Sequence, residues 1–236
     1  MKAVVTWRLS QATLYLILTL IVVAMSSLFA KLVHVNYQMS NVRKDIPSIQ
    51  SKVQESKLQI LTMKKRLRVQ NAFAFITRNK MEKKSFIKTS EQLYNMSNAL
   101  SFDPLLVIAL VSVESRGNPR AIGRYRSGKE SGALGLMQIK ESTAQWVAQK
   151  FGHKKLSEGG VIRAEQNILY GTLYLMDLVA KYQSLSKGIM AYNIGPGAMN
   201  KALKYNKAKL PKRYLNRMLS NYYSLVDKFG EEPTES

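Results

Sequence analysis

The stretch from Asp103 to Gly117 limits most strongly what this chain can fold into. Asp103 stands where a helix N-cap belongs and Pro104 at the first helical position, so the helix start is marked twice. From Leu105 to Val113 almost every residue is apolar on all faces, the pattern of a helix surrounded by protein. Gly117 with Pro119 beyond it reads as the stop. Such a helix needs a protein shell around it, and it carries a carboxylate, Glu114, in its last turn. That position faces the negative end of the helix dipole and loses water. Both effects favour the protonated form, as a general acid working near neutral pH requires.

The chain is long enough for one well-buried domain plus extensions, with 236 residues. It has no cysteine, which excludes thiol nucleophiles, disulfides and thiolate metal sites. Its two histidines, His34 and His153, have no neighbouring ligand types in sequence, so neither a metal site nor a cofactor is expected. The formal charge of +21 points to anionic partners: nucleic acid, lipid headgroups or an acidic wall polymer. Nucleic acid has only the charge in its favour, because the basic residues are spread along the chain without a binding motif.

Ala12 to Ala30 holds no charged side chain, and about 20 such residues span a bilayer as a helix. Lys2 and Arg8 precede it, as for a cytoplasmic amino terminus (1–11). A cleaved signal peptide is the competing reading, with Leu14 to Val23 as its apolar region and Ala24-Met25-Ser26 as the cleavage site. The apolar run continues through Leu28 and Phe29, which favours an uncleaved single-pass anchor at 12–30. Either way the rest of the chain lies outside the cytoplasm.

A basic helical stalk follows over 31–89, with fourteen Lys and Arg against Asp45, Glu55 and Glu82. Val42, Ile46, Ile49, Val53, Ile60, Met63 and Leu67 alternate steps of four and three except at Ser56. This short heptad pattern over 42–67 fits self-association, a partner in an envelope machine, or packing on the chain's own domain. Pro47 argues against a helix running unbroken through it. Phe73, Phe75, Ile76, Phe86 and Ile87, set among lysines, fit docking on the domain or lying on a membrane.

Residues 90–230 read as one compact helical domain, with helices at Glu91–Leu100, Pro104–Arg116, Glu141–Phe151, Arg163–Tyr182, Ser186–Ile194 and Lys212–Phe229. Ile122 to Ala133 is a basic, glycine-containing loop with room for a short hairpin, and 231–236 is an acidic disordered tail. The fold expected is therefore mainly α. Three islands combine tight backbone with an outward polar group: Glu114-Ser115, Gly132 to Gln138, and Ala191 to Gly197. Singly, each has a bland reading. The glutamate is a surface residue, Gly135 and Gln138 shape a turn, and Tyr192 and Asn193 cap a helix.

Together and in this order, DPLLVIALVSVES, GALGLMQ, NILYGTLYL and AYNIGPG make the chain resemble the soluble-lytic-transglycosylase (SLT) family of cell-wall enzymes. The resemblance covers roughly Asp103 to Tyr223 and implies a lysozyme-like catalytic domain. It implies Glu114 as sole catalytic acid/base, and a sugar cleft lined by Ser115, Gln138, Tyr192 and Asn193. It adds Tyr174 near the carboxylate, and Met137 as the apolar contact keeping that carboxylate dry. Implied too are peptidoglycan glycan strands as substrate, 1,6-anhydro-muramyl products, and a site beyond the cytoplasmic membrane, in the periplasm. The alternatives are a wall-binding structural component of an envelope machine and a hydrolytic, lysozyme-type activity. Two departures stand out. The Glu114-to-Gln138 spacing is longer than usual, the excess lying in GRYRSGKES, and Leu210-Pro211-Lys212-Arg213-Tyr214 lacks an acid that relatives often carry there.

Overall fold

The computed structural model describes residues 10–153, 163–205 and 210–230. The expected acidic tail at 231–236 and most of the amino-terminal segment lie outside the described residues. The chain divides into two compact units, Met1–Leu61 and Thr62–Ser236.

The first unit holds the greater part of α1 (Gln11–Thr77), one helix of 67 residues. Its side chains are exposed through Leu61, including the whole uncharged stretch from Ala12 to Ala30. By length and composition α1 can cross a membrane. Contrary to the expectation from Pro47, the helix runs through it. Proline removes one backbone donor, and the turns on both sides keep their own hydrogen bonds.

The second unit begins upstream of the residue-90 boundary that composition suggests, because the end of α1 is part of its core. Val69, Ala72 and Phe73 are buried, and Phe73 stacks on Phe86 with ring centroids 5.5 Å apart. Of the aromatic and aliphatic residues set among lysines, Phe73 thus docks on the domain, whereas Phe75 and Ile87 stay exposed. Arg78 and Asn79 adopt positive φ and turn the chain into α2 (Lys83–Ala99), which starts eight residues before the expected Glu91.

α3 (Pro104–Ser115) is the hub. Pro104 through Val111 are all buried, so no face is left for solvent. The Asp103 carboxylate accepts the Leu105 N–H at 3.0 Å, caps the helix, and receives the Arg68 guanidinium at 3.3 Å and the Tyr222 hydroxyl at 3.0 Å. At the other end Arg116 and Gly117 take left-handed backbone, and the Lys80 ammonium donates to the Arg116 carbonyl at 2.8 Å. A Cβ on Gly117 would stand 2.3 Å from the Ile76 carbonyl oxygen, so only glycine lets α3 end against α1.

Three short strands follow, β1 (Ile122–Arg124), β2 (Glu130–Leu134) and β3 (Ile139–Lys140), paired antiparallel in the order β1-β2-β3. The pairs are Ile122 with Leu134, Arg124 with Glu130, and Ala133 with Lys140. The glycine-containing loop is therefore the hairpin foreseen, closed by Gly128 at positive φ. The remaining elements among the described residues are helices: α4 (Glu141–Lys150), α5 (Ala164–Tyr182), α6 (Leu185–Ile194), α7 (Pro196–Tyr205) and α8 (Lys212–Phe229). The helix α7 goes beyond the sequence reading, which ends a helix at Ile194 and begins the next at Lys212. Pro196 instead opens the next helix, where its missing N–H costs nothing.

α8 lies antiparallel to α3. As it advances from Tyr214 through Asn221 to Tyr222, its partners run back from Glu114 through Ser112 to Asp103. Tyr214, Met218 and Leu225 supply its buried stripe.

Candidate active site

Several chain segments meet at a cleft of about 800 Å³ in the second unit. The end of α3 supplies Glu114, the β2–β3 turn supplies Gln138, and α5 and α6 supply Tyr174, Tyr192 and Asn193. Glu114 is the only carboxylate among the described residues that line it.

The turn is held from below by a side chain that is not an obvious site residue. Asn167, fully buried on α5, accepts the Met137 N–H at 2.7 Å and donates to the Leu134 carbonyl at 2.8 Å. Gly135 packs so closely on it that a Cβ would sit 2.4 Å from the Asn167 amide nitrogen. Gly171, one helical turn along α5, leaves room in the same way for the Met137 side chain. Two glycines and an asparagine thus lock the segment Leu134 to Gln138, which explains why GALGLMQ and NILYGTLYL occur together.

Gln138, at a positive φ of 49°, donates its side-chain amide to the carbonyls of Ala121 and Gly135 at 3.1 and 3.0 Å. Both amide hydrogens are used in the frame, and Oε1 is the part left to accept from a ligand. The Tyr192 hydroxyl donates to the Met137 carbonyl at 2.8 Å. Its ring lies 5.4 Å from that of Tyr174, which meets Trp146 edge-on at 6.4 Å. Burial keeps the Tyr192 phenol well above its ordinary range, with the Glu114 charge adding to the effect, so it remains a donor.

Two expected site residues sit elsewhere. Met137 is wholly buried beneath the cleft, where its sulfur meets Thr172 at 3.7 Å. Ser115 is also buried, and its hydroxyl donates to the Val111 carbonyl at 3.1 Å. Neither side chain lines the cleft. Asn193 is exposed on its rim.

The partner of Glu114 is Tyr214, whose hydroxyl donates to Oε1 from across the α3–α8 contact. Burial dominates the carboxyl and raises its pKa above the usual 4.5, while the Tyr214 donor and, behind it, the Arg217 guanidinium pull it partly back. Arg217 also stands over the Tyr214 ring, 6.0 Å from its centroid. Burial and the Glu114 charge raise the Tyr214 phenol, fixing it as donor. Tyr214 escaped the sequence reading because 100 residues separate it from Glu114. The only hint was its place at the end of the stretch where relatives often carry an acid. Such a half-buried, single carboxyl with one fixed donor, facing an open cleft, is equipped to hand over a proton and take one back.

Residues 94–215, just over half of the chain, match the family described as Transglycosylase SLT domain. The chain belongs to this family. Among its relatives is an endo-type membrane-bound lytic murein transglycosylase A from Cronobacter sakazakii, 33% identical over 138 residues, which cover 57% of this chain and 61% of the relative. A transglycosylase of Enterobacteria phage PRD1 is 30% identical over 130 residues, covering 55% and 41%. The chain thus spans about three fifths or less of the length of these relatives. Two solved structures share the fold. They are lytic transglycosylase Slt from Pseudomonas aeruginosa, in an inactive mutant, at 22% identity, and the 70 kDa soluble lytic transglycosylase of Escherichia coli at 23%. Each has a TM-score of 0.50 and is matched over 61% of this chain and 25% of its own. The SLT-type second unit is accordingly mainly α and lysozyme-like, as the motifs imply.

Proposed function

We propose that this SLT-family protein is a membrane-anchored lytic transglycosylase. It cleaves the bond between N-acetylmuramic acid and N-acetylglucosamine in peptidoglycan, with Glu114 as both acid and base. The observation that carries this reading is that Glu114 is the solitary carboxylate among the described residues lining the cleft. Glycoside cleavage by two carboxylates needs a second acid across the bond, as base or nucleophile. With one carboxylate, the substrate must supply the nucleophile. Protonated Glu114 gives its proton to the glycosidic oxygen, and the bond from the muramyl C1 to that oxygen breaks. The muramyl acetamido group stabilises the oxocarbenium-like centre. The muramyl C6 hydroxyl then attacks C1 while Glu114, now a carboxylate, removes the hydroxyl proton. The product is a 1,6-anhydro ring, no water is consumed, and Glu114 ends protonated as it began.

Gln138 Oε1, Asn193 and the rings of Tyr174 and Tyr192 hold and orient the sugars. Met137 and Ser115 act from beneath, by packing. The uncharged stretch 12–30 anchors the chain in the cytoplasmic membrane by a single pass, and the stalk leads to a domain on the wall side, in the periplasm. Support comes from the length and composition of α1 and from relatives described as membrane-bound.

The test uses the full chain in detergent with purified sacculi, and identifies released muropeptides by mass. Anhydro ends are expected. Reducing ends would place the chain among hydrolytic lysozymes, and binding without release would favour a structural, wall-binding role.

A pH profile probes the acid step. The first step needs protonated Glu114, so kcat/KM falls as pH rises through its raised pKa. Tyr214→Phe removes a donor that lowers that pKa. The alkaline limb is therefore expected to move to higher pH, with a lower maximum rate because the carboxyl loses its orientation. A profile that keeps its position would dissociate Tyr214 from the proton transfer.

A further inference from the structure

The cleft carries cations that the cleavage step does not use. Besides Glu114, the charged residues lining it among the described residues are Arg124 on β1 and Lys140 at the end of β3. The cation bearing on Glu114 is Arg217, which lies outside the lining. Neither Arg124 nor Lys140 is engaged with Glu114. Their placement is built into the sheet. Lys140 pairs with Ala133 on β2, and β1 is drawn against the Gln138 side chain by Gly123, where a Cβ would be 2.7 Å from Gln138 Oε1. Lys140 is exposed and has no ion-pair partner among the described residues. Arg124 donates to the Gly128 carbonyl at 3.1 Å and meets Glu130 at 3.4 Å. Both members of that pair are more than half exposed, with 60% and 57% of their side-chain surface open, so water and ions weaken it readily. Arg126 and Lys129 add two further cations on the same hairpin.

The rings, hydroxyls and acetamido groups of a glycan strand are uncharged, so they give these cations nothing to pair with. The muramyl residue, however, bears a lactyl group that is either amide-linked to a stem peptide with its own carboxylates or, once the peptide is removed, a free carboxylate. We propose that Arg124 and Lys140 form a carboxylate-binding subsite on the β-sheet rim of the cleft. It recognises the acidic substituent of the muramyl residue and so selects among glycan strands by what they carry. Arg124 offers a planar fork for a carboxylate and Lys140 a mobile point charge beside it. The proposal rests on the reading that the cleft binds peptidoglycan.

The test measures binding by the full chain in detergent, carrying Glu114→Gln to prevent turnover. Three soluble ligands are compared: glycan strands with stem peptides, strands stripped by an amidase, and N-acetylglucosamine oligomers without any carboxylate. Adding Arg124→Gln with Lys140→Gln is expected to weaken binding of a carboxylate-bearing strand about tenfold or more, the effect of losing one good charge-assisted bond. The oligomers should bind as before. Loss confined to stem-bearing strands identifies the stem carboxylates as ligand, and loss confined to stripped strands identifies the lactyl group. The control Lys83→Gln with Lys84→Gln removes equal charge from exposed positions on α2. Equal losses on all three ligands, or the same loss in the control, would overturn the subsite and leave only general attraction. If the Glu114→Gln chain binds none of the three, the peptidoglycan reading itself falls, and the subsite with it.

Discussion

Glu114→Gln is expected to reduce release of muropeptides from sacculi by at least about 10³-fold, while sacculus binding and thermal stability stay close to those of the unchanged chain. General acid or base assistance by one positioned group is typically worth 10²–10⁴-fold. Here a single group would provide both, in successive halves of the reaction, so the upper part of that range applies. Glutamine keeps the shape of the side chain and can still accept the Tyr214 hydroxyl that now reaches Oε1. It cannot give up a proton as an acid does. The substitution also removes the burden of a half-buried carboxyl whose ionisation is opposed by burial, so the fold has no reason to weaken. Measured turnover within tenfold of the unchanged chain would rule out Glu114 as acid/base, whatever the cleft binds.

The largest stability effect is expected from Asn167→Ala. The Asn167 amide is fully buried and satisfies the Met137 N–H and the Leu134 carbonyl, both on the segment that presents Gln138 to the cleft. Alanine cannot replace either bond. A buried backbone group without a partner costs about 1–3 kcal/mol, and the space left by the amide adds to that. A loss of about 3 kcal/mol or more follows, which for a unit of this size lowers Tm by roughly 6–12 °C. Activity should fall more steeply than the folded fraction below Tm, because the loosened Leu134–Gln138 segment carries the Tyr192 anchor at the Met137 carbonyl as well as Gln138. Calorimetry alongside the muropeptide assay separates the two. Unchanged Tm would mean that the turn holds itself without Asn167.

Much of the architecture was written in local sequence. Asp103 and Pro104 announce α3, the unbroken apolar run marks it as buried, and Gly117 with Pro119 signals its stop one residue past the left-handed Arg116 that ends it. The same holds for the ends of α5 and α6 and for the span of α8, which the sequence already marks as a helix from Lys212 to Phe229. Among the site residues, Glu114, Gln138, Tyr174, Tyr192 and Asn193 were nameable from the islands and their order, and the fold brings all five to one cleft. Local signals failed where two meanings share one pattern. Gly195-Pro196-Gly197 ends a helix and also begins one, and the lysines around Phe73 hid a core residue within an apparent stalk.

The rest belongs to tertiary structure. A methionine beside a cleft glutamine can point into the cleft or beneath it. The decision here rests on Gly171, 34 positions further on, whose missing side chain makes the space Met137 fills. Tyr192 could have served Glu114, but the turn held by Asn167 sets the Met137 carbonyl within its reach. The hydroxyl that does meet Glu114 comes from Tyr214, through the antiparallel packing of α8 on α3. The sequence by itself determined the apolar helix and the carboxyl at its end, because the start signal, the apolar run and the stop signal are set by neighbours a few residues apart. The company that carboxyl keeps was decided only when helices distant in the chain packed together, since a hydrogen bond needs contact in space and leaves no mark on the spacing of the residues that make it.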